Sequence, residues 1–145
     1  MKLQKATLIG LLTSILLLSV ILVHFLPAVG ILTSPIIIAL IAGLIVYTND
    51  SFNLIIKSVL AYLFIGLNDI GIKLFSGGIH DTEGLGWINL MLIAGSVLAF
   101  IMLIIGVLRD NKGTAYWIKA VSILIFILLI YIHLQVFQSL GVPAN

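Results

Sequence analysis

An all-α integral membrane protein, folded as a compact bundle of about five transmembrane helices, is the class this sequence predicts, on three observations. Hydrophobic residues fill 62% of the 145 positions and charged residues only 8%. A soluble domain of this size has too much surface to hide so much apolar side chain, so lipid must be the solvent for most of the chain; the mean hydropathy of +1.34 agrees. Finally, apolar runs of about 20 residues recur, the length a helix needs to cross ~30 Å of hydrocarbon with every backbone group bonded internally.

The first run, 6–26, follows Lys2 and Lys5 and superficially resembles a secretory signal. At about 21 residues it exceeds the usual ~7–15-residue apolar region of such a signal, and no small-x-small cleavage site follows, so it is expected to stay as a span. The second, 30–48, contains Pro35, and Thr33-Ser34-Pro35 reads as a cap followed by proline at the first helical position. A helix starting there has about 14 residues and reaches about 21 Å, so this segment is a short span, a kinked one starting near Ala28, or a re-entrant turn.

The third, 52–75, has start signals at Asp50 or Ser51 and a glycine stop at Ser76-Gly77-Gly78. A polar loop at 76–86 precedes the fourth run, 87–108, with Asp81 or Thr82 as its cap and Trp87 at the membrane boundary. The fifth is 115–137. Short connections make residues 1–145 a single transmembrane domain of sequential neighbours.

Basic residues set the expected orientation. With five spans and the N-terminus cytoplasmic, Lys2, Lys5, Lys57, Arg109, Lys112 and Lys119 fall on the cytoplasmic side and only Lys73 outside. Lys57 and Lys119 lie within helix ends and must then snorkel to the headgroups. A bacterial inner membrane, with the C-terminus outside, is the expected location. The net charge of +2, without a basic stripe, gives no reason to expect nucleic acid. The absence of cysteine excludes disulfides, thiolate metal sites and cysteine nucleophiles.

In lipid, small residues mark helix contact faces. Gly10 with Ser14, Ala39 with Gly43, and Gly95 with Ala99 and Gly106 recur at helical spacing and are the candidate packing stripes. The expected partners are lipid and other membrane subunits or further copies of this chain.

The chosen topology gathers His24, Asp69, His80, Asp81, Glu83 and His133 at the outer side. Imidazole and carboxylate are ligands for a divalent metal, with His24 or His133 completing a site begun by His80, Asp81 and Glu83. The His-Asp-x-Glu run has no established ligand spacing, however, and a hydrated loop is the simpler reading, so no cofactor is predicted. Asn68 and Asp69 lie at membrane depth, and Asp69 and Lys73 stand at i and i+4, the spacing of an ion pair and a candidate transport locus. Tyr131, Gln135 and Gln138 form a polar stripe on the fifth helix, from which His133 points away, leaving Gln135 as a candidate interhelical hydrogen-bonding residue.

No Walker loop, dinucleotide fingerprint, nucleophile elbow or zincin helix is present. The leading expectation is a non-enzymatic accessory or structural subunit of a membrane complex. A small transporter or channel using Asp69 and Lys73 is the first alternative, and an outer-face metal protein or enzyme the second.

Overall fold

The computed structural model describes residues 4–48, 52–76, 82–110 and 113–141. These residues form five helices: α1 (Lys5–Phe25), α2 (Pro27–Thr48), α3 (Leu54–Phe75), α4 (Thr82–Leu108) and α5 (Tyr116–Phe137). Every one is long and apolar enough to cross a membrane. The shortest has 21 residues, about 32 Å, which matches the hydrocarbon thickness.

The second span is complete and unbroken. It starts at Pro27, which takes the first helical position, and carries Pro35 in its interior. The cap expected from Thr33 and Ser34 is not formed. The Thr33 hydroxyl instead donates back to the Val29 carbonyl at 2.8 Å and the Gly30 carbonyl at 3.2 Å. Such back-bonding lets a hydroxyl sit inside a helix where lipid offers it no other partner. Only Leu26 separates α1 from α2, so the two form a tight antiparallel hairpin. Gly30 is required there, because a Cβ would lie 2.7 Å from Val23 Cα.

Two other expected boundaries also move. The cap of α3 is Asn53, whose Oδ1 accepts from Ile56 N at 2.8 Å; Asp50 and Ser51 lie outside the described residues. The fourth helix begins at Thr82, so residues 82–86 of the expected loop are its first turn.

Helix α3 packs against all four others, while α1, α2, α4 and α5 follow one another around it; α1 and α5 do not touch. Asn68, Asp69 and Lys73 lie on the face of α3 turned into the bundle, whereas Leu63, Leu67 and Leu74 on its other face are exposed, so position on the helix keeps the polar groups away from lipid. Leucine, isoleucine and valine on the outer faces are exposed, as at Leu18, Leu32, Ile36, Leu124 and Val136, and meet lipid. Tyr116 and Trp117 are exposed at the start of α5, and Trp87 near the opposite end of the bundle, as interfacial aromatics are.

The α2–α4 seam is the closest. There Gly95 receives Ile38, Gly106 receives Val46, and Ala99 is fully buried. Small residues allow this approach, and dispersion contacts hold it, since lipid provides little hydrophobic drive between helices. The other two small-residue stripes differ. Gly10 and Ser14 are exposed on the outward face of α1, whose buried stripe is Leu8, Leu12, Ser19 and Val23. Gly43 has nothing within 4 Å of its Cβ position, and with Ala39, Tyr47 and Met102 it lines an open lipid-facing groove.

Helix C-termini leave carbonyls without partners, and at the ends of α2, α3, α4 and α5 a side chain from elsewhere in the bundle reaches one of them. Lys57 Nζ donates to Val46 O in the last turn of α2 at 2.8 Å, and His24 Nδ1 lies 3.1 Å from Phe75 O at the end of α3. Lys119 Nζ donates to Asp110 O just beyond α4 at 2.9 Å, and Lys73 Nζ to Phe137 O at the end of α5 at 2.9 Å. Asn89 Nδ2 adds a bond to Gln138 O at 2.9 Å. Lys57 and Lys119 thus reach helix ends rather than simply extending to headgroups, with their positive charge at the negative pole of a helix.

Candidate functional site

The α3–α5 seam holds the densest ionisable chemistry among the described residues. The i, i+4 spacing puts Asp69 and Lys73 on one face of α3, and Asp69 Oδ2 lies 2.7 Å from Lys73 Nζ. The same oxygen lies 2.9 Å from His133 Nε2 on α5. Lys73 spends a second donor on the Phe137 carbonyl, so it clasps the end of α5 while pairing with its own helix. All three residues are almost wholly buried, at 2% for Asp69, 2% for Lys73 and 1% for His133.

Position on the helices explains the meeting. Ser122, Phe126 and His133 are the buried residues of α5 and recur at spacings of four and seven, which makes one narrow stripe. Opposite them, α3 presents Tyr62, Gly66, Asp69 and Lys73 at the same periodicity. Gly66 makes room for the imidazole: a Cβ there would stand 3.3 Å from both Cε1 and Nδ1 of His133. Tyr62 meets the ring edge-on at a centroid distance of 5.9 Å, and Phe137 flanks it at 4.8 Å.

Assigning Asp69, beside the Lys73 ammonium, as the carboxylate sets the remaining roles. An ionised carboxylate only accepts, so His133 Nε2 carries the hydrogen of the shared bond. In the neutral ring Nδ1 is then a lone-pair acceptor. It is buried without a hydrogen-bond partner, as is Asp69 Oδ1. A carboxylate and an imidazole joined through one oxygen, each with a second unpartnered atom, have the components to accept, pass and release a proton. Lys73 supplies a fixed compensating charge.

Other expected site residues lie elsewhere. His80 and Asp81 lie outside the described residues. Glu83 is exposed in the first turn of α4, and His24 is exposed at the end of α1. His24 and His133 stand on helices that do not touch. Among the described residues, no three His, Asp or Glu side chains gather closely enough for a metal. Gln135 is exposed rather than interhelical, and Tyr131 borders a groove between α4 and α5. Asn68 is completely buried, yet neither of its side-chain polar atoms has a hydrogen-bond partner.

Fold and site together define a five-helix membrane-spanning bundle with a buried Asp–Lys–His centre. No family model, curated protein or solved structure matches the chain.

Proposed function

We propose that this protein is a small proton-handling membrane protein of the transporter or channel type, in which Asp69 and His133 exchange the proton and Lys73 holds the carboxylate in place. The observation that carries this reading is the shared Asp69 Oδ2, 2.7 Å from Lys73 and 2.9 Å from His133, in a seam closed to lipid. Buried ion pairs contribute little net stability compared with apolar packing of the same volume, so stability alone is a poor reason to keep one inside a membrane.

A proton arriving at His133 Nδ1 allows the Nε2 proton to pass to Asp69 Oδ2, giving a neutral acid. Loss of the proton from Asp69 restores the carboxylate and its pairing with Lys73, and tautomerisation of the imidazole, which returns its remaining hydrogen from Nδ1 to Nε2, closes the cycle. The basic residues favour an orientation with the N-terminus cytoplasmic and this centre towards the outer side of a bacterial inner membrane. Reconstitution into liposomes with an internal pH dye and a potassium-driven potential tests the reading. Wild-type protein is expected to carry protons, and Asp69→Asn and His133→Gln to abolish the flux. Wild-type flux no greater than that of empty liposomes, or undiminished flux in Asp69→Asn, refutes it.

A second reading, a non-enzymatic subunit of a membrane complex, is supported by a different observation. Helix α5 packs only on α3 and α4, and most of its surface is uncovered, including Tyr131 and Val136. Mass photometry after extraction into native-lipid discs is expected to give a particle heavier than one chain. A strictly single-chain particle removes this reading.

A further inference from the structure

Two separate apolar clusters fill the bundle interior. One contains Leu12, Ile38, Ile65 and Leu92; the other is Val23, Ile31, Ile72 and Ile88. The residue lying between the two clusters on each of three helices is polar and buried: Ser19 on α1 at 2% exposure, Ser34 on α2 at 3% and Asn68 on α3 at 0%.

Helix register brings these residues to nearly one height. Val23 meets Gly30 across the antiparallel α1–α2 hairpin. One turn further from the hairpin on each helix are Ser19 and Ser34, so they face each other across the seam. On the parallel α1–α3 pair, Val20 packs at Gly71 and His24 reaches Phe75. That register sets Ser19 level with residue 70, about 3 Å from the height of Asn68.

We infer that Ser19, Ser34 and Asn68 form a water-binding site inside the bundle, separate from the Asp69 centre. Ser19 Oγ and both polar atoms of the Asn68 amide have no hydrogen-bond partner in the protein. An amide buried in an apolar medium without partners is strongly unfavourable, so the group requires a ligand. The donor set identifies that ligand. Asn68 offers N–H donors as well as an acceptor, and Ser19 offers one of each. Water satisfies both kinds of group, whereas a bare cation leaves the amide N–H donors unmet. Pro35 adds to the site's polarity, because it lacks the N–H that would bond the Ile31 carbonyl in the helix ladder.

The site stands whether or not Asp69 carries protons. If both hold, water at Asn68 lies one residue from the Asp69 carboxylate, on the side of α3 turned towards α1 and α2. Water-edited solid-state NMR on the protein labelled with carbon-13 and nitrogen-15 in lipid tests the inference through the Asn68 side-chain amide, assigned by its disappearance in Asn68→Leu. Magnetisation from water is expected to reach that amide several-fold faster than it reaches the methyl groups of Ile65 and Ile72. Ser19→Ala/Ser34→Ala, which keeps the helices and nearly keeps the volume, is expected to slow the transfer several-fold. Transfer as slow as to the methyl groups overturns the hydration, and unchanged transfer in the double variant overturns the three-helix site. Neither readout depends on proton flux, so failure here is distinguishable from failure of the proton-handling reading.

Discussion

Removing one charge of the Asp69–Lys73 pair at a time, and then both, measures what the centre contributes. The two side chains are 1% and 0% exposed and 2.7 Å apart, so solvent does not screen their interaction. Asp69→Leu leaves the Lys73 ammonium buried with only the Phe137 carbonyl as acceptor. Lys73→Met leaves the carboxylate with only His133. Stranding one member of a buried pair costs about 3–5 kcal/mol, so each single variant is expected to lower the folding equilibrium at least about a hundredfold. The double variant strands neither charge and loses chiefly the cap on α5, so it is expected to be more stable than either single variant. Steric trapping in bicelles, or detergent-driven unfolding followed by circular dichroism, gives the free energies for the cycle. Costs that simply add in the double variant would refute the argument that the two charges act as one unit. The same double variant also separates structure from activity: it is expected to fold and to carry no protons.

Three further perturbations test the packing and the caps. Gly30→Ala places a Cβ 2.7 Å from Val23 Cα and forces the α1–α2 hairpin apart, at an expected cost of about 1–3 kcal/mol, whereas Gly43→Ala meets nothing within 4 Å and is expected to be neutral or stabilising by up to about 1 kcal/mol. Equal effects of the two in a thermal-shift assay in detergent would contradict the seam geometry. Asn53→Ala removes the acceptor for Ile56 N and is expected to cost about 1 kcal/mol, with faster amide exchange confined to the first turn of α3. Lys119→Met removes the donor to Asp110 O and is expected to speed proteolytic cleavage in the α4–α5 connection while leaving α1–α3 unchanged; unaltered cleavage would refute the clasp.

Five spans were legible because the length of an apolar run is an almost direct statement about membrane thickness. Asp69 with Lys73 was legible as well, since both lie on one helix and need only its periodicity. His133 was legible as a histidine at the same outer end, and a histidine as a possible aid to Asp69, but its contact with Asp69 was not, for a physical reason. In water a helix shows its buried face by being apolar there, but in lipid the outer faces are just as apolar. On α5 that leaves Ser122, Phe126 and His133 as a stripe without hydrophobic contrast, while the more conspicuous Tyr131 and Gln135 face outward. The one available signal was that a histidine in an apolar run needs a partner, and Asp69 was the nearest carboxylate at comparable depth. Pro35 misled for a related reason. A proline that ends a helix in water is tolerated within a span, where unwinding exposes backbone to hydrocarbon.

The clasp between Lys73 and the Phe137 carbonyl also imposes an order on biosynthesis. Translation delivers α3 to the membrane well before α5, so Asp69 and Lys73 enter with neither His133 nor the α5 carbonyl yet made. Until then the pair has only itself, beside a seam open to lipid or to the insertion machinery. Arrival of α5 closes that seam, so the fifth helix is the step at which a nascent chain becomes a finished one. A chain stopped before residue 116 lacks both His133 and the Phe137 carbonyl, so its Asp69–Lys73 pair has no further partner within the bundle.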